Sequence, residues 1–179
     1  MLVLLQITSD EGELVDEVAR QVQKKVTKAP LHVAKHPTGL DEKLQDFERT
    51  VSLEEQQHRR GGTILLGIMG LGGVGKTTLA KEFFNRNRSH YQRSCFLAEV
   101  RDAAARNTLT SLQGQLCKDL TGVTPVMCSI YEGMGQLSHL PYSQSLVILD
   151  DVEHDEQLDA LFSPLKDVLP SGSLILVTS

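Results

Sequence analysis

The sequence predicts an α/β protein: a parallel sheet with helices on both faces. Three observations carry that reading. From Thr63 onward short apolar runs alternate with stretches of helical spacing, the order that builds strand–helix units. The runs are continuously apolar, as strands buried on both sides require. Finally, 7 of the 14 glycines fall between Gly61 and Gly75, where the first run meets the first helix and the backbone must turn sharply.

The elements follow in order. Asp10 and Glu13 read as a capping box. Leu14, Val15, Val18, Val22 and Val26 then recur at helical spacing until Pro30. Residues 1–29 are therefore expected to be a helical connector or the tail of an upstream domain. Residues 30–62 read as a linker and a second amphipathic helix, with Leu40, Leu44, Phe47 and Val51 on one stripe. The polar stretch Gln56 to Gly62 marks the boundary of the main domain, 63–179. Within it, strands are expected at Ile64 to Met69, Cys95 to Val100, Leu146 to Leu149 and Leu174 to Val177. Helices are expected from Lys76, along Leu109, Leu112, Leu116 and Leu120, and near Gln157 to Phe162.

Composition excludes several classes. At 179 residues, 40% hydrophobic and 23% charged, the chain can bury a core and is too apolar to be disordered. No apolar run approaches the roughly 20 residues of a membrane span, and the N-terminus lacks the basic start of a secretory signal. Cys95, Cys117 and Cys128 are odd in number and make no C-x-x-C spacing, so reduced thiols in a cytoplasmic protein are expected. The net charge of −5 argues against nucleic acid as a partner. Its distribution is uneven: residues 61–120 hold eight basic and four acidic side chains, residues 121–179 one basic and eight acidic. The middle of the chain suits a small anion.

Gly70-Leu71-Gly72-Gly73-Val74-Gly75-Lys76-Thr77 is a complete G-x-x-x-x-G-K-[ST] between an expected strand and an expected helix. Gly70, Gly72, Gly73 and Gly75 let the backbone aim successive N–H groups inward as an anion nest, with Val74 between them. The following helix adds its positive end. Lys76 is expected to reach the β- and γ-phosphates, Thr77 to ligate Mg²⁺, and Thr78 to bond the α-phosphate. Leu146-Val147-Ile148-Leu149-Asp150-Asp151 is an apolar strand delivering acids at its C-terminal end, where open α/β sheets bind ligands. Beside the phosphate loop this reads as a Walker B motif. Asp150 is assigned with Thr77 to the magnesium shell, and Asp151 to orienting or deprotonating the attacking water.

These residues resemble the NB-ARC nucleotide-binding domains of plant disease-resistance proteins, within the STAND class of P-loop ATPases. GIMGLGGVGKTTLAKEFFN is similar to the family's P-loop and first helix, SCFLAEVR to the next block, LVILDDV to the Walker B block and GSLILVTS to the start of the sensor block. PLHVAKHPTGLDEKL resembles the lead-in segment, and Glu153 after DDV matches the TIR-associated type. The resemblance implies a P-loop NTPase-type sheet with the Walker B strand beside the P-loop strand. It implies ADP bound at rest and ATP when active, with backbone around Thr38, Gly39 and Leu40 contacting adenine. The family's sensor block continues Thr-Thr-Arg. Thr178 and Ser179 stand in its first two places, so a truncated domain with a sheet incomplete at its C-terminal edge is expected.

Other features have plainer readings. His32 and His36 stand beside Pro30 and Pro37, which disfavours the helix a metal pair needs, so both are expected in solvent. Arg86, Arg88 and Arg93 read as a solvated or partner face, Cys95 as core, and Asp155, Glu156 and Asp159 as charges at a helix start. The expected function is a Mg²⁺-dependent ADP/ATP switch for defence signalling, with weak hydrolysis at most. Two alternatives stand beside it. One is an interaction fragment pairing with full-length relatives through the N-terminal helices and the unfinished sheet edge. The other is a metabolic P-loop kinase, disfavoured because Lys166 is the one basic residue in 121–179.

Overall fold

A computed structural model of the chain describes residues 29–33, 39–57 and 62–179. The chain divides into two compact units, Met1–Pro30 and Leu31–Ser179, and the elements below all belong to the second. The helix expected along Leu14 to Val26, Thr38 and His36 lie outside the described residues.

Helix α1 (Leu40–Gln57) precedes strand β1 (Ile64–Ile68) and helix α2 (Lys76–Asn87). A single 3-10 turn, Arg88–His90, leads into β2 (Arg93–Leu97). Helices α3 (Val100–Ala105), α4 (Leu109–Thr121) and α5 (Ile130–Leu137) follow. The chain then runs through β3 (Ser145–Leu149), α6 (Asp155–Leu161) and β4 (Leu174–Thr178). Among the described residues no helix is long and apolar enough to cross a membrane.

The four strands are parallel, in the order β1-β4-β3-β2. This corrects one expectation. The Walker B strand β3 is not beside β1, because β4 inserts between them: Ile64 registers with Leu174, and Leu174 with Leu146. Among the described strands β4 therefore sits inside the sheet, and β1 and β2 stand at its edges. Equally apolar runs reveal that strands are doubly buried but carry no information about their lateral order.

Strand alternation sends side chains to two cores. Leu146, Ile148, Leu174, Leu176 and Phe96 meet Leu44 and Val51 of α1 and Ala80, Phe83 and Phe84 of α2. Their neighbours Val147, Leu149, Ile175, Cys95 and Leu97 meet Leu109, Leu116 and Leu120 of α4, Leu137 of α5 and Leu161 of α6. Each large side chain taken fully out of water contributes about 1.5–3 kcal/mol. Among the described strands β1 is the least covered: Ile64 is buried, whereas Leu65 keeps 49% of its surface exposed.

Helix α5 (IYEGMGQL) is unexpected from sequence, because Gly133 and Gly135 weaken helix propensity. Local capping and tertiary packing override that cost. Ser129 Oγ accepts from Glu132 N at 3.2 Å, and Glu132 Oε2 accepts from Cys128 N at 2.9 Å. Buried Gln113 of α4 then donates from Nε2 to Ile130 O and Ala160 O, each at 3.0 Å, tying α5 and α6 together.

Candidate functional site

The phosphate loop leaves β1 at Ile68 and enters α2 at Lys76. Its glycines are needed for their backbone. Gly73 has φ +80° and Gly75 φ +95°, left-handed values that strain any residue with a Cβ. A Cβ placed on Gly72, Gly73 or Gly75 would meet nothing within 4 Å, so the inner surface of the loop is open. Lys76 folds back over it, donating from Nζ to Gly70 O at 2.5 Å and Leu71 O at 3.0 Å. An ammonium group at a helix N-terminus opposes the helix dipole, and here the loop's own carbonyls compensate it. Thr78 sits in the first turn of α2.

Two motifs remote in sequence meet at Asp150. Thr77 Oγ1 donates to Asp150 Oδ1 at 2.9 Å, and Thr178 Oγ1 donates to the same oxygen at 2.7 Å. Asp150 is 2% exposed. Thr178 Oγ1 in turn accepts from Asp151 N at 2.9 Å. A hydroxyl and a carboxylate on one side of an anion loop are hard oxygen donors of the kind Mg²⁺ takes, with phosphate and water completing the shell. No group of three or more His, Cys, Asp or Glu side chains could hold a metal among the described residues.

Asp151 departs from its neighbour. Its φ of +62° turns the chain after β3, and its Oδ2 lies 3.1 Å from Arg101 Nη2. The carbonyls of Asp150 and Asp151 accept from Val100 N at 3.0 Å and Arg101 N at 2.9 Å, so this turn also caps the start of α3. Gly39, at φ +71°, and Leu40 open α1, which packs on α2 and β1.

The plainer readings are also placed. His32 is exposed, Cys95 is buried, and Arg86 pairs with Glu82 at 2.9 Å and Asp41 at 2.8 Å. Arg88 lies 6.0 Å from the centre of the Phe84 ring. Asp155 and Glu156 do occupy the first turn of α6. The N–H groups of Glu153 and His154 are met by Gln157 Oε1, at 2.8 and 3.4 Å, rather than by those acids. Sequence reasoning missed two residues of the site, Thr178 and Arg101. Both lie in blocks already singled out, GSLILVTS and SCFLAEVR, but only folding shows which acid each one touches.

The NB-ARC domain model matches residues 48–179. The chain belongs to the NB-ARC family. Among its relatives, the "Disease resistance-like protein DSC1" of Arabidopsis thaliana is 30% identical over 99% of this chain and 14% of its own length. The "TMV resistance protein N" of Nicotiana glutinosa is 28% identical over 94% of this chain and 15% of its own. The "Disease resistance protein RPV1" of Vitis rotundifolia is 25% identical over 94% and 12%. The chain thus spans about a seventh of the length of such relatives. A solved structure, "Structure of C. elegans PCH-2", overlaps 98% of this chain and 37% of its own at a TM-score of 0.30 and 18% identity, too distant to bear on the site. In this NB-ARC chain the matched residues 48–179 include the glycine loop, Thr77, Asp150 and Thr178, which meet at Asp150.

Proposed function

We propose that this NB-ARC segment binds Mg²⁺–ADP and Mg²⁺–ATP and serves as the nucleotide-controlled switch of a cytoplasmic plant defence protein. The observation that carries the reading is the junction of the phosphate loop with Asp150 through Thr77, at 2.9 Å. In this reading the N–H groups from Gly72 to Thr77 hold the phosphates, with Thr78 on the α-phosphate. Lys76 exchanges the Gly70 and Leu71 carbonyls for β- and γ-phosphate oxygens. Thr77 and Asp150 hold Mg²⁺, which when bound neutralises phosphate charge. Gly39 and Leu40, with Thr38, supply backbone contacts to adenine, and the relatives named as resistance proteins support the defence role.

Hydrolysis is expected to be slow. Orienting water falls to Asp151, whose carboxylate is already engaged by Arg101 at 3.1 Å. To orient a water the carboxylate would first have to leave that ion pair.

Thermal unfolding of the whole chain with millimolar Mg²⁺–ADP or Mg²⁺–ATP tests this. A ligand that binds only the folded form adds about 2.7 kcal/mol at one hundred times its Kd, so the midpoint rises. Lys76→Ala should abolish the rise. No shift in the wild-type chain overturns the reading. The position of β1 at an edge of the described sheet favours a second role in pairing with full-length relatives. Lys76→Ala separates the two, since pairing alone would survive it.

A further inference from the structure

Helices α3, α4, α5 and α6 enclose a half-open trough of about 630 Å³ on the face of the sheet opposite α1 and α2. Leu109, Met134 and Ala160 line its apolar part. On the α5 side stand Ile130, 37% exposed, and Tyr131, 84% exposed. The α6 side carries three carboxylates, Glu153, Glu156 and Asp159. The guanidinium on the rim is already engaged, Arg101 with Asp151 at 3.1 Å and Asp102 at 3.8 Å, and His154 Nε2 lies 3.7 Å from Glu153. The trough thus has an apolar side and an anionic side facing each other.

We propose that this trough docks an amphipathic helix of a partner protein, its apolar stripe flanked along one side by Lys or Arg. Tyr131 and Ile130 stand exposed beside an apolar floor, the kind of anchors a docking partner can cover. An open trough between helices suits a helix laid in by residues at i, i+3, i+4 and i+7. The carboxylates select the occupant's sign: they repel phosphate backbones and attract ammonium and guanidinium groups. Their placement on the α6 side alone also sets which flank of the incoming helix must be basic. None of these residues belongs to the nucleotide site except Arg101, so docking and nucleotide binding are separable.

The test is fluorescence anisotropy of the full chain with a labelled synthetic peptide of about four helical turns, with a leucine stripe and lysines along one flank. Glu156→Lys with Asp159→Lys should weaken binding about tenfold or more, and Tyr131→Ala several-fold. Glu42→Lys with Asp46→Lys, the same change in net charge placed on exposed positions of α1, should change it less than about twofold. A peptide of the same composition with its stripe scrambled should not saturate the protein. An unchanged thermal midpoint in each variant shows that folding is intact. Equal losses from the two charge-reversed pairs, equal binding of the scrambled peptide, or no effect of Tyr131→Ala would overturn the proposal.

Discussion

Thr77 and Thr178 place their hydroxyls on a single oxygen of Asp150, at 2.9 and 2.7 Å. One threonine comes from the start of α2 and the other from the end of β4, so the buried carboxylate joins the phosphate loop to the interior of the sheet. Both hydroxyls donate to Oδ1, and in the proposed reading it is Oδ2 that would serve the metal.

Asp150→Asn separates structure from metal binding. Asparagine keeps an acceptor oxygen for both threonines, so stability should hold within about 1 kcal/mol. The additional rise in midpoint that Mg²⁺ gives over nucleotide alone should vanish, because a neutral amide is a poor magnesium ligand. Paired thermal scans with Mg²⁺ and with a chelator measure this. Retention of the magnesium increment would remove Asp150 from the metal shell.

Gly133→Ala should destabilise the chain by about 1–3 kcal/mol, an overpacking cost. The new methyl would collide with Gln113 Oε1 and stand 2.6 Å from its Cδ. Gln113 cannot step aside, being fully buried and bonded to Ile130 O and Ala160 O. Urea unfolding checks the size of the loss. A neutral result would mean that α4 and α5 are looser than this contact implies.

Cysteine chemistry gives a pH dependence. Burial pushes the Cys117 thiol up to about 11, while Cys128 is exposed. Iodoacetamide near neutral pH should label Cys128 and spare Cys117. The unfolded thiol ionises near about 8.5, so the folded value is raised. Stability from this group is then fully present below about 8.5 and lost as pH climbs towards 11, on the order of 1 kcal/mol per unit. Urea titrations across that window should show the fall, and Cys117→Ala should flatten part of it. Burial raises Tyr142 in the same direction, so the remaining slope belongs at higher pH.

Arg101→Ala tests how Asp151 is held. The pair is exposed, with about half of the Arg101 and over a third of the Asp151 side chain accessible, so stability should change by less than about 0.5 kcal/mol. Release of the carboxylate should raise any slow ATP turnover. A fall in turnover would show that the pair positions Asp151 productively.

Much of the fold and site is legible in the chain itself, for local reasons. The helix along Leu109, Leu116 and Leu120 is written in periodicity, and α1 in the stripe Leu44, Phe47 and Val51. Short continuous apolar runs place all four strands within a few residues. The glycines of the loop announce positive φ because no other residue adopts it cheaply. Helix α5 is not legible, since two glycines argue against it and its packing against Gln113 belongs to a remote segment.

What the amino-acid order alone determines here is local: which runs are buried, where the backbone must turn, and that Lys76, Thr77 and Asp150 are of the right kind for phosphate and metal. What only the tertiary structure decides is adjacency. It inserts β4 between β1 and β3, brings Thr178 onto Asp150 and sets Arg101 against Asp151. The physical reason is that burial and backbone conformation are properties of a short stretch of chain. Strand order instead depends on which of several equally apolar edges pair, a competition that no local pattern records.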